Sequence, residues 1–205
     1  MKLIGITGGI ACGKTTLCET LRALGAPVWD ADAASRQATA PGGAALPAIR
    51  AAFGEGVFTP AGELNRKALG ALVFNDEKAR RQLDAIVHPL VYEDMARFVK
   101  AQAKSGACAV FLDVPLLYET GYDRFCHKVW CAYVPEETQL RRLMNRDRLT
   151  RAEALARIRS QMPLSEKTRR ADAVIDTSGT IAQSAQAVAR LYQTYAGSAF
   201  IPRQE

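Results

Sequence analysis

The eight residues Gly8-Gly9-Ile10-Ala11-Cys12-Gly13-Lys14-Thr15 satisfy G-x-x-x-x-G-K-[ST] in full. The match lies between an apolar run, Leu3-Ile4-Gly5-Ile6, and a segment in which Leu17, Leu21 and Leu24 recur at helical spacing before Gly25. A strand, a glycine-rich loop and a helix in that order form a phosphate cradle. The glycines let backbone N–H groups turn inward on an anion, from Gly9 through Thr16 in the first turn of the helix. Lys14 brings a positive charge to the outer phosphates, and the Thr15 hydroxyl can ligate Mg²⁺. The loop therefore implies a nucleoside triphosphate with magnesium.

The chain around this loop has 205 residues, 48% hydrophobic and 23% charged, enough for a substantial core and unlike disordered or fibrous sequences. A strand that begins at Lys2 leaves no room for a cleavable signal, and no apolar run is long enough to span a bilayer. A cytoplasmic protein without membrane or nucleic-acid partners is expected, and a monomer. The five cysteines, Cys12, Cys18, Cys108, Cys126 and Cys131, form no C-x-x-C pair and read as reduced, small apolar residues. Cys12 stands apart, because a helix N-terminus and Lys14 can lower a thiol pKa. If they do, alkylation inactivates and bound ATP protects; otherwise a small side chain simply fits the loop.

Strand-like runs at Lys2 to Thr7, Pro27 to Asp30, Ala107 to Asp113, Val129 to Val134 and Ala173 to Asp176 alternate with helical patterns. This predicts a three-layer α/β core whose five-stranded parallel sheet is covered on both faces. Ligands of such sheets gather at the carboxyl ends of the strands, here Gly8, Asp30, Asp113, Pro135 and Thr177. Residues 31 to 104 contain no convincing strand and predict a helical insertion. Its long helical pattern from Asp76 carries Leu83, Val87, Val91 and Met95 on one face, and Pro89 is expected to bend or divide it. A second insertion, residues 136 to 165, reads as two helices around a basic turn, with Thr150 to Glu153 in capping-box form. The last helix, about Thr180 to Tyr195, is expected to turn Ile181, Ala185, Val188 and Leu191 inward.

Phosphate loops serve several classes of protein, so other residues must choose among them. There is no N-K-x-D guanine-reading motif and no long transporter signature. The net charge of +6 is concentrated between Arg141 and Arg159, where seven arginines face two carboxylates, a local excess of +5. Such a segment suits a lid that excludes water and neutralises transferring charge. A solvated basic face is the plainer alternative, and nucleic-acid binding is disfavoured because no aromatics are interleaved. Arg142 and Arg146, one helical turn apart, offer planar guanidinium forks for phosphate oxygens. Asp32, just past a strand end, can accept the proton of an acceptor hydroxyl, with Arg36 a turn later; Asp30 reads better as a helix cap. Asp113, at the end of a buried strand, can hold magnesium through water or serve only as a turn residue.

With these residues in view, the chain resembles the dephospho-CoA kinase family nearly end to end. The motifs are Thr7-Gly8-Gly9-Ile10 leading into Gly13-Lys14-Thr15, Asp30-Ala31-Asp32 with Arg36, His88-Pro89, Asp113-Val114-Pro115-Leu116-Leu117 with Glu119, Gln139-Leu140-Arg141-Arg142, Arg146-Asp147 and Val174-Ile175-Asp176. The resemblance implies ATP-dependent phosphorylation of the ribose 3′-hydroxyl of dephospho-CoA, the last step of coenzyme A synthesis. It implies a P-loop kinase domain like the nucleoside monophosphate kinases. The core would be residues 1–30, 105–135 and 166–205, the helical acceptor-binding insertion 31–104, and the Arg-rich lid 136–165. Asp32 falls at the family's base and Arg142 at its transition-state arginine, beside Lys14. Gly9, Ile10, Ala11, Cys12, Gly13, Lys14, Thr15, Thr16, Arg146 and Thr177 fall on the nucleotide. Thr7, Asp32, Arg36, His88, Pro115 and Leu116 fall on the acceptor, and Thr15 and Asp113 on Mg²⁺.

Two positions depart from the family pattern. Thr177 stands where similar proteins usually have Asn, and a hydroxyl cannot fill both hydrogen-bonding roles of an amide. Cys12 stands where serine is commoner, with little effect expected because backbone groups bind the phosphates. The rival expectations are a kinase of another nucleotide-like acceptor, or a non-catalytic ATP-binding regulator that releases no acceptor-dependent ADP.

Overall fold

The computed structural model describes residues 1–196. The expected core segment 166–205 therefore has its last part, 197–205, outside the described residues. In chain order the elements are β1 (Lys2–Gly8), α1 (Lys14–Ala23), β2 (Val28–Asp30), α2 (Ala31–Ala38), α3 (Leu46–Phe53), α4 (Arg66–Asn75), α5 (Glu77–Lys104) and β3 (Ala109–Asp113). They continue with β4 (Lys128–Tyr133), α6 (Glu136–Asp147), α7 (Arg151–Arg159), α8 (Leu164–Arg170), β5 (Ala173–Asp176) and α9 (Ile181–Ala196). The chain divides into two compact units, residues 1–29 with 102 onward, and Asp30–Ala101.

In the first unit the strands form one five-stranded parallel sheet in the order β2-β3-β1-β4-β5. β1 lies centrally, Ile4 opposite Phe111 of β3 and Lys128 of β4. Its burial on both sides explains an almost wholly apolar sequence. Ile4 and Ile6 join Leu17 and Leu21 of α1, Trp130 and Ala132 of β4 and Val188 of α9 in the main core. Gly5 and Thr7 alternate with them and face the other way. A methyl on Gly5 would meet Leu117 Cδ1 and Cys126 Sγ at 2.9 Å.

The expected Ile181 contact is corrected: that side chain is 75% exposed, and the inward row of α9 is Ser184, Val188 and Tyr192. Helical spacing fixes that a stripe exists. Here the expected Val188 is fully buried and Ala185 and Leu191 are half-buried beside it, so only Ile181, the first residue of α9, departs from the stripe.

The second unit is mainly helical. Asp30 caps α2 by accepting the Ala33 N–H at 2.8 Å. Pro89 does not divide the long helix, since α5 runs unbroken through it. The backbone bond lost at proline is local, whereas Val87, Val91 and Met95 are buried on both sides of it and hold one helical stripe together. No helix among the described residues is long and apolar enough to cross a membrane.

Candidate active site

The phosphate loop leaves β1 after Gly8 and enters α1 at Lys14. Gly13, with φ +77°, takes the left-handed turn that aims the first N–H groups of α1 inward. Ala11 also has positive φ, 61°, a conformation costing a non-glycine residue about 1–2 kcal/mol and maintained only by its surroundings. No side chain caps the N-terminus of α1 and its first turn holds no acid. The dipole end and its orphan N–H groups therefore await an anion.

Lys14 Nζ donates to Asp113 Oδ1 in a close ion pair, and Arg22 lies 4.0 Å from the other carboxylate oxygen. Asp113 is 5% exposed, so burial demands such compensation. The Thr15 side chain is exposed in the first turn of α1.

Thr177 sits immediately past β5. Its hydroxyl donates to the Cys12 carbonyl at 2.7 Å, and its own carbonyl accepts from Arg142 NH2 at 2.8 Å. Loop, sheet end and the α6 arginine are thereby linked in series. Thr177→Val removes the hydroxyl and leaves the Cys12 carbonyl without it, a loss of about 1–3 kcal/mol in unfolding free energy by urea titration. Thr177→Ser should retain most of that stability.

Of the two readings of Cys12, the structure favours the small side chain that fits the loop over the reactive thiol. The residue is 1% exposed, and burial pushes its thiol up to about 11, outweighing the lowering effects of the Gly9 backbone and nearby cations. Alkylation at pH 8 followed by mass spectrometry should label exposed Cys108 long before Cys12; the reverse order would contradict this account.

The residues of the first unit expected at the acceptor also converge. Thr7 is fully buried and donates its hydroxyl to the Pro115 carbonyl at 3.0 Å. Leu116 beside it is 40% exposed. The same Pro115 carbonyl accepts from Lys167 Nζ at 3.0 Å, and Lys167, fully buried, pairs with Glu119 Oε1 at 2.8 Å. Glu119 also accepts the Met162 N–H at 2.9 Å. Burial alone would raise the Glu119 carboxyl, but the Lys167 hydrogen bond and neighbouring N–H groups hold it below the usual range.

Arg146 forks onto Asp147 at 2.8 and 3.1 Å, with Arg157 on the same carboxylate. Arg146 lowers the Asp147 carboxyl first and Arg157 assists. Exposed pairs of this kind exchange partners cheaply. In the second unit, Asp32 and Arg36 lie one turn apart on α2, both exposed, and His88 is exposed on α5 with Nε2 3.7 Å from Asp84 Oδ1.

Lys167 and Gln161 escaped notice in the sequence. A lysine in a charged seven-residue helix reads as solvated, and a lone glutamine carries no local signal. Gln161 accepts the Ile10 N–H while Gln139, already part of a motif, donates to the Ile10 carbonyl.

A five-stranded parallel sheet with this loop, an insertion after β2 and an arginine-bearing helical pair after β4 define a P-loop kinase. The family model described as CoaE: Dephospho-CoA kinase matches residues 2–183. A dephospho-CoA kinase of Geobacillus kaustophilus is 50% identical over 177 residues, 86% of this chain and 88% of that one. Among solved structures, TT1252 from Thermus thermophilus is 36% identical with a TM-score of 0.81, covering 96% of this chain and 98% of that one. Dephospho-CoA kinase from Campylobacter jejuni is 30% identical with a TM-score of 0.72, covering 95% and 96%. The chain belongs to the dephospho-CoA kinase family.

Proposed function

We infer that this protein transfers the γ-phosphoryl group of ATP to the ribose 3′-hydroxyl of dephospho-CoA, giving coenzyme A and ADP. The observation that carries the reading is the family match over residues 2–183, which takes in phosphate loop, insertion and lid together. The backbone of the loop from Gly9 to Thr16 cradles the phosphates, with its Ile10 N–H held by Gln161, and Lys14 neutralises the outer ones, exchanging Asp113 for phosphate oxygen as ATP enters. Asp32 orients the acceptor hydroxyl and accepts its proton. Arg142 stabilises charge on the transferring group, and Arg146 can leave Asp147 for the nucleotide. Thr7, Arg36, His88, Pro115 and Leu116 are assigned to the acceptor, and Thr177 to the nucleotide side through its hold on Cys12.

The donors near the loop are hard oxygens, the Thr15 hydroxyl and the Asp113 carboxylate, which suit Mg²⁺ better than softer metals. Magnesium bound there would offset charge on the β- and γ-phosphates. The reading also takes the protein as a cytoplasmic monomer.

Product analysis separates this reading from its rivals. With Mg-ATP, dephospho-CoA should yield coenzyme A and ADP in equal amounts, with turnover on AMP at least about 100-fold lower, the level at which binding contacts discriminate small acceptors. ADP release that ignores the acceptor, or a preference for AMP, would remove the assignment.

A further inference from the structure

We propose that Gln139 and Gln161 are positioning residues for the nucleotide phosphates, acting together through the backbone of Ile10; the proposal rests on the phosphate loop being the ATP cradle. Ile10 lies between Gly9 and the left-handed Ala11. Its N–H donates to Gln161 Oε1 at 2.9 Å and its carbonyl accepts from Gln139 Nε2 at 2.9 Å. Two carboxamides thus satisfy both polar groups of one residue, as a neighbouring strand would in a sheet.

The two side chains come from opposite ends of the lid segment. Gln139 is in the first half of α6 and Gln161 lies just past α7. Gln139 is 3% exposed, and a methyl on Gly9 would come within 2.6 Å of its Nε2. The amide therefore lies close against the loop. The Ile10 and Ala11 side chains pack with Leu140, Leu143 and Ala154, the buried centre of the lid. The outer half of the loop is accordingly built into the lid, and the strained turn at Ala11 is maintained from there.

The hydrogen bonds run in opposite directions, which yields a test that charge cannot imitate. Gln161 must accept, a task a carboxylate performs; Gln139 must donate, which a carboxylate cannot do. Gln161→Glu and Gln139→Glu place the same charge beside the same residue. Mg-ATP affinity, measured by calorimetry without acceptor, should be at least tenfold weaker in Gln139→Glu than in Gln161→Glu. The neutral pair Gln139→Met and Gln161→Met should each weaken it about five- to tenfold, the loss of one hydrogen bond. The KM for dephospho-CoA at saturating ATP should stay within about twofold of the parent, as expected of an ATP-side defect.

Equal Mg-ATP affinities in the two glutamate variants would overturn the proposal. So would neutral variants that bind Mg-ATP like the parent, or that weaken ATP and acceptor alike, as a general loss of structure does. A parent protein that binds no Mg-ATP would overturn the cradle reading itself, a distinct failure visible before any variant is made.

Discussion

Asp32→Asn should lower kcat by about 10²–10⁴-fold, the contribution of a positioned general base, while Mg-ATP affinity changes less than about twofold. The substitution preserves shape and removes only the ability to take a proton. Its structural cost is small, because Asp32 is exposed in the first turn of α2 and the cap of that helix is made by Asp30. Single-turnover measurements with dephospho-CoA separate the chemical step from release. Near-normal turnover would remove Asp32 from the mechanism, and a matched loss of ATP affinity would reassign it to binding.

Arg142→Ala should cost about 10³-fold or more in kcat, the range for an arginine that meets charge developing on a transferring phosphoryl group. Its guanidinium rests on the Thr177 carbonyl at 2.8 Å, and the Thr177 hydroxyl reaches the Cys12 carbonyl. It is thus poised one residue away from the phosphate loop. Arg142→Lys should recover little, since a compact ammonium lacks the planar fork. Arg146→Ala should cost far less, because that side chain is engaged with Asp147 on the surface of α6. A higher KM for ATP with unchanged kcat in Arg142→Ala would show ground-state binding alone.

The parts of this account legible in the sequence are those set by local chemistry. The apolar runs become β1, β3 and β4 within two residues at each end, since these central parallel strands are covered on both faces. The capping box forms as written, Thr150 and Glu153 exchanging bonds at the start of α7, because its partners are three residues apart. Asp30 caps for the same reason.

What stayed hidden depends on partners distant in sequence. Lys167 is buried because Glu119 and the Pro115 carbonyl await it, and Gln161 matters because Ile10, 151 residues earlier, meets it. Pro89 is carried through α5 by packing on either side, and Ile181 is exposed at the very start of α9 while Val188 and Tyr192 further along are buried. Cys12 has the neighbours that lower a thiol pKa, yet burial dominates, and burial is not written in the loop's eight letters.

The most direct test of the central claim, a phosphate cradle paired with a carboxylate that readies a ribose hydroxyl, is a crystal structure with dephospho-CoA and a non-hydrolysed Mg-ATP analogue. The account predicts the 3′-oxygen within hydrogen-bond reach of the Asp32 carboxylate, about 2.6–3.2 Å, and in line with the γ-phosphate on the loop. A 3′-oxygen remote from Asp32, held by another base or by none, would contradict it.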